Sequence, residues 1–244
     1  MRAYIPNIIT VINLICGCCA VACVFYQDFQ KVLAFFLVGG IADYCDGLVA
    51  RWLNVKSSLG KELDSIADMV TFGVLPGAIL YMLLVLGMGG STNSFELMAA
   101  PGFILSAFAG LRLAKFNIDT RQAEDFIGLS TPSCTIFVVG LMLIYQANSH
   151  DLSGFVINNY FLYAVIVVFS YLLVSEIPMV SFKFKGLKWK GNERRIIFIL
   201  MALILLVLFK EVAFSLFIIV YVLFSLIDNF IGVRKAPGQV VEDR

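Results

Sequence analysis

Apolar runs separated by short polar joints make up this chain from end to end. Stretches that are hydrophobic on nearly every helical face recur at about residues 6–26, 32–52, 63–88, 95–115, 131–147, 160–179, 195–210 and 212–232. A helix that crosses a bilayer needs ~20 mostly apolar residues. The pattern therefore predicts eight spans, the seventh a short one. Lys210-Glu211 leaves a tight joint between the last two, which predicts a helical hairpin over 195–232. Soluble surface helices carry a polar face opposite an apolar stripe, and these runs have few polar faces. The expected fold class is all-α: a polytopic membrane bundle.

Composition agrees. Of 244 residues, 60% are hydrophobic and 14% charged, against about 25% charged in soluble domains. Mean hydropathy is +0.92. A net charge of +1 supplies no field that would recruit nucleic acid. The six cysteines lie in apolar runs without a CxxC pair, which fits packing rather than metal binding. The single histidine, His150, sits in a polar loop and cannot build a His-based metal site alone. The first run lacks a small-residue cleavage site and reads as a retained helix.

Charge gives orientation. With the N-terminus in the cytoplasm and eight alternating spans, 16 of the 18 basic residues fall at cytoplasmic ends, and only Lys31 and Lys210 fall outside. This is the positive-inside asymmetry of a multi-pass protein of a cell (inner) membrane. The basic segment 183–195 fits the same rule and adds attraction to anionic lipid.

One stretch breaks the pattern: DYCDGLVARWLNVKSSLGKELDSIAD, residues 43–68. Asp43, Asp46, Gly47 and Ala50 recur at three- and four-residue steps on one face of the second span, which ends near Arg51. Gly60 opens the third span, and Asp64 and Asp68 follow at four-residue steps. A rise of 1.5 Å per residue puts Asp43 and Asp68 each roughly 12 Å from its helix's cytoplasmic end. The four carboxylates are therefore expected to converge in one cavity of the inner leaflet.

Such a cluster is self-repelling and costly to desolvate, and divalent cations reverse that cost. An all-oxygen site suits Mg²⁺ or Mn²⁺, and two such ions in a carboxylate site serve transfer at phosphorus. Gly47, Ala50 and Gly60 leave room for a bulky ligand, and Arg51 at the rim can meet phosphate with a bidentate fork. Acids paired with bases for packing would need more bases at this depth. A cation-coupled transport site remains an alternative on the chemistry alone.

The spacing Asp43-x-x-Asp46-Gly47-x-x-Ala50-Arg51, eight residues, then Gly60-x-x-x-Asp64-x-x-x-Asp68 resembles the motif of the CDP-alcohol phosphotransferase family. The resemblance implies a six-helix membrane enzyme, usually a homodimer, that displaces CMP from a CDP-linked lipid by attack of a hydroxyl. It implies that Asp43, Asp46, Asp64 and Asp68 hold the metals, that Asp68 is also the general base, and that Gly47, Ala50, Arg51 and Gly60 accommodate the CDP group. ELDSIADMVTFGVLPG (62–77), with ITVINLICG (9–17), RLAKFN (112–117), FIGLSTPS (126–133) and MVSFKFKGLK (179–188), is similar to the phosphatidylserine synthase branch.

That branch implies CDP-diacylglycerol and L-serine as substrates, in a membrane of phospholipids. Relatives that use glycerol 3-phosphate or inositol phosphate are the nearest alternatives. Ser130 departs from the branch pattern, where proline is more usual, and the segment after Met179 is looser.

The expected division is a transferase core over 1–194, an additional helical pair over 195–232 and a cytoplasmic tail over 233–244. Arg112 could meet a phosphate or the serine carboxylate, or simply anchor the fourth span. Asn13 could bond a ligand or a neighbouring helix. Glu176 and Asp228 stand near helix ends, where they can reach water. Gly73-x-x-x-Gly77 around Pro76 predicts close packing or a break in the third span.

Overall fold

The computed structural model describes residues 4–55, 57–92, 94–118, 126–179, 201–202 and 204–230. The basic segment 183–195, the tail 233–244 and the beginning of the seventh run lie outside the described residues. What is described is an all-α bundle with one two-residue antiparallel ladder.

α1 (Tyr4–Phe25) and α2 (Phe29–Trp52) form a tightly packed hairpin. Gln27 turns the chain at φ 56°, and the Asp28 side chain caps α2 by accepting from the Lys31 N–H at 3.2 Å. Lys31 also donates to the Asp28 carboxylate at 2.6 Å, which holds that half-buried acid below the usual carboxylate range. The outward faces of both helices carry bare Ile8, Val11, Ile12, Ile15, Leu37 and Ile41, as lipid contact requires.

The third crossing starts at Ser58, not at 63. The Ser57 hydroxyl caps it by accepting from the Gly60 N–H at 2.8 Å. Hydropathy alone misses this first turn because it is polar. The crossing then runs through three pieces: α3 (Ser58–Met69), a π-helical turn (Val70–Val74) and α4 (Leu75–Gly87). The break foreseen from Gly73 and Pro76 is thus a π turn, in which the Leu75 N–H bonds the Val70 carbonyl five residues back.

α4 is the axis of the bundle. It is buried without interruption from Leu75 to Val85, against α1, α5 (Gly102–Ile118) and α6 (Thr131–Ala147). Glycines let α4 and α5 approach. A Cβ at Gly102 would stand 2.6 Å from the Tyr81 nitrogen, and one at Gly77 would strike the Ser106 hydroxyl. The glycine pattern thus serves packing within the chain.

α5 extends to Ile118, past the 115 expected. Ser130 caps α6, accepting from the Ser133 N–H at 3.3 Å, which gives this serine a local role. After α7 (Ser153–Val156), α8 (Asn159–Val174) stops five residues short of the expected end. Pro178 disfavours helix at the residue before it, and the chain instead pairs β2 (Pro178–Met179) with β1 (Phe126–Ile127).

Helical residues 204–209 lead into α9 (Val212–Phe230). α9 docks on α6, where the Ser215 hydroxyl donates to the Phe137 carbonyl at 2.9 Å and the Ser215 nitrogen sits in the notch left by Gly140. The described C-terminal helix is therefore packed into the bundle. Glu176 is exposed just beyond α8, whereas the Asp228 side chain lies outside the described residues.

Candidate functional site

Three helices build the site at one end of the bundle. α2 presents Asp43, Asp46, Gly47 and Ala50 on one face, and α3 presents Gly60, Asp64 and Asp68. Because the two helices enter from the same end, their acids fall into two tiers. Asp46 and Asp64 line the mouth, and Asp43 and Asp68 stand one turn deeper. Carboxylate oxygens of Asp43, Asp64 and Asp68 all lie within 4.8 Å of one another. Asp46 is not part of that trio. It is buried, and its Oδ2 accepts from the Thr10 hydroxyl of α1 at 2.5 Å.

The expected single cluster of four is therefore a trio with a fourth acid held beside it by α1. Thr10 was not foreseen, nor was Asn7. Both line a cavity of about 530 Å³ with Asp46, Gly47, Ala50, Val55, Gly60, Lys61 and Asp64. Their signal was present: Asn7, Thr10 and Asn13 recur every three residues along an otherwise apolar helix. They mark a polar stripe. Asn13 meets a neighbouring helix, with its Oδ1 accepting from the Thr71 hydroxyl at 2.8 Å.

The small residues differ in what they leave open. A Cβ at Gly47 would meet nothing within 4 Å, so the cavity is bare there. One at Gly60 would come 2.9 Å from the Asn7 amide oxygen, so that glycine also lets α1 close over the start of α3.

Of the basic residues, Arg51 stands at the end of α2 as expected, and Arg112 serves as an anchor. Arg51 is exposed in the last turn of α2 and is not among the cavity's lining residues, where Lys61 of α3 is. Arg112 is buried, and its guanidinium donates to the carbonyls of Leu129 and Gly128. It is spent on the turn between β1 and α6, away from the cavity lining. Lys61 donates to the Asn117 carbonyl at 3.3 Å, and the Asn117 amide donates to Ser65 at 2.8 Å. These bonds tie α3 to the end of α5.

The donor set suits a hard divalent cation: three carboxylates in mutual reach, with the Asp68 Oδ1 atom buried and without a hydrogen-bond partner. Buried carboxylate oxygens are otherwise paired.

The family model described as CDP-alcohol phosphatidyltransferase matches residues 3–175. The chain belongs to this family. It is 33% identical over 180 residues to the protein named CDP-diacylglycerol–serine O-phosphatidyltransferase in Bacillus subtilis (strain 168), covering 74% of this chain and 92% of that one. It is 32% identical over 228 residues to the protein of that name in Helicobacter pylori (strain ATCC 700392 / 26695), covering 91% and 89%. A match of that length runs past residue 194 into the C-terminal helices. Family membership makes the chain a membrane transferase whose relatives generally depend on divalent metal, and the acidic trio lies within the matched residues.

Proposed function

We propose that this chain transfers the phosphatidyl group of CDP-diacylglycerol to the hydroxyl of L-serine, releasing CMP. The observation that carries this reading is the meeting of Asp43, Asp64 and Asp68 beside a cavity floored by Gly47, Ala50 and Gly60. The names of the relatives support serine as the acceptor.

The lipid enters from the inner leaflet, and its cytidine occupies the cavity against Gly47, Ala50 and Gly60. Asp43, Asp64 and Asp68, with Asp46 beside them, would hold Mg²⁺ or Mn²⁺, in this reading two ions. Bound there, the metal neutralises phosphate oxygens. Asp68 accepts the proton of the serine hydroxyl. The serine oxygen then bonds to the phosphorus that carries diacylglycerol, and the bond from that phosphorus to the oxygen shared with CMP breaks. Thr10 keeps Asp46 turned towards the cavity. Lys61, the basic side chain on the cavity wall among the described residues, faces the phosphates from the rim. Positioning and electrostatics supply most of the rate, as is general for transfer at phosphorus.

The reading places the site on the cytoplasmic side of the inner membrane, in a homodimer. It treats 1–194 as the catalytic core, 195–232 as an added helical pair and 233–244 as a cytoplasmic tail. The experiment is purified protein with CDP-diacylglycerol and a panel of alcohols: serine, glycerol 3-phosphate and inositol phosphate. CMP and phosphatidylserine from the serine reaction alone are expected. A phosphorylated acceptor consumed in preference to serine would reassign the substrate. Ion movement across sealed vesicles without CMP release would replace the enzyme with a transporter.

A further inference from the structure

Asp64 and Asp68 stand on α3, whose first turns are tied to α5 by the Lys61 and Ser65 bonds to Asn117. Its other end runs on towards α4, which is buried from Leu75 to Val85 and anchors that end. Between them lies the π turn Val70–Val74. A π turn carries one residue more than an α turn, and each residue of an α-helix turns the chain by about 100°. The turn therefore sets the angular offset between the fixed α4 and the acidic face of α3. It begins two residues after Asp68.

Side chains from three helices grip this turn. The Ser106 hydroxyl of α5 donates to the Gly73 carbonyl at 2.8 Å, and the Thr135 hydroxyl of α6 donates to the Phe72 carbonyl at 3.0 Å. From within the turn, the Thr71 hydroxyl donates to Asn13 Oδ1 on α1 at 2.8 Å. Thr71 is fully buried, and so is Asn13. Gly17, one turn along α1 from Asn13, makes the notch that admits Thr71: a Cβ there would lie 3.2 Å from the Thr71 Cα and would overlap the hydroxyl. Gly39 of α2, one turn from Asp43, packs on the other side of the Asn13 amide, where its Cβ would come within 3.2 Å of Oδ1.

The grips on Gly73 and Phe72 act on the far part of the turn. The Thr71–Asn13 bond acts three residues from Asp68 and ties the deep end of the acidic helix to α1.

We propose that Asn13 and Thr71 are positioning residues for the transfer: their hydrogen bond, seated in the Gly17 notch, holds the π turn so that Asp68 meets Asp43 and Asp64 at the reacting site. This rests on the reading of Asp68 as the general base. The pair touches no substrate. It acts through the carboxylate, where a displacement of about 1 Å can cost a hundredfold in rate.

The test uses the purified full chain with CDP-diacylglycerol and serine, with Asp68→Asn as the control for the reading itself. Thr71→Val keeps the shape and removes the hydroxyl, Thr71→Ser keeps the hydroxyl, and Asn13→Leu removes the acceptor. In Thr71→Val and Asn13→Leu, kcat is expected to fall roughly tenfold to a hundredfold, with KM for both substrates within about twofold. Amide exchange in 69–75 should rise. Thr71→Ser should stay within about threefold of the parent, and the double variant should be no worse than the poorer single.

Wild-type kcat in Thr71→Val, with Asp68→Asn inactive, would overturn the positioning role alone. A fully active Asp68→Asn would overturn the base assignment on which it rests. Failure of both Thr71→Val and Asn13→Leu to fold would also overturn the proposal, because the pair would then hold the bundle rather than the carboxylate.

Discussion

The crossing from Ser58 to Gly87 contains two helices of opposite character. α3 buries only Ala67 among its 12 residues and carries Lys61, Glu62, Asp64 and Asp68. α4 buries 11 of its 13 and carries no charge. α4 is held by close contact: aromatic rings of Phe25, Phe95 and Phe103 surround Tyr81, and glycines let α5 approach. α3 is held at intervals, by the Ser57 cap, the Ser65–Asn117–Lys61 bonds and the π turn. Packing against neighbours stabilises one half. The other half is kept half-open, where charge can meet a ligand, so its acids add to function and little to stability. Cross-helix hydroxyl bonds in membranes are worth only about 0.6 kcal/mol each, so they orient α3 more than they hold the fold.

That division is broken most directly at the acids. Chelation by EDTA is expected to stop CMP release completely, with Mg²⁺ or Mn²⁺ restoring it. Asp68→Asn should lower turnover by roughly 10²–10⁴ while the thermal unfolding midpoint in detergent stays at or above that of the parent. An Asp68→Asn protein that unfolds early would mean that α3 supports the bundle as α4 does.

The converse change belongs on the packed half. Gly102→Val drives a side chain into the Tyr81 backbone and should cost about 1–3 kcal/mol or more of stability. Activity per folded molecule should stay unchanged.

Arg112 is expected to behave like α4 and not like the acids, although its charge suggested ligand binding. Arg112→Gln strips donors from the Gly128 and Leu129 carbonyls, a loss of about 1–3 kcal/mol. KM for serine should stay within about twofold. A tenfold rise in that KM with unaltered stability would return Arg112 to the acceptor site.

The halves were unequally legible in the sequence. Spacing alone aligned Asp43 and Asp46 on one helix and Asp64 and Asp68 on the next, because helical periodicity is a local property. Spans were legible because hydrocarbon demands long apolar runs. The polar start of α3 escaped that criterion, since Ser57 fixes it through a cap and not through hydropathy. Gly73 and Pro76 marked a break, but the hydroxyls of Ser106 and Thr135 that bond the π turn lie far away in sequence. Arg112 pairs with backbone carbonyls, which leave no trace in side-chain identity. Asp46 is bonded by Thr10, one helix away, which its own helix does not announce. The stripe Asn7, Thr10, Asn13 was readable, yet its partner on α2 was not.

The finest separation of the two roles is at Gly47. It sits inside α2, lines the cavity, and has free space where a Cβ would go. A glycine in mid-helix costs roughly 0.5–1 kcal/mol relative to alanine, so Gly47→Ala should raise stability by up to that amount. The added methyl would project into the space assigned to cytidine. KM for CDP-diacylglycerol should then rise severalfold with kcat for bound substrate little changed. Thermal unfolding and initial rates on one preparation measure both. A more stable variant with unaltered KM would show that the nucleotide lies elsewhere, because the glycine would then be neither a packing requirement nor a ligand surface.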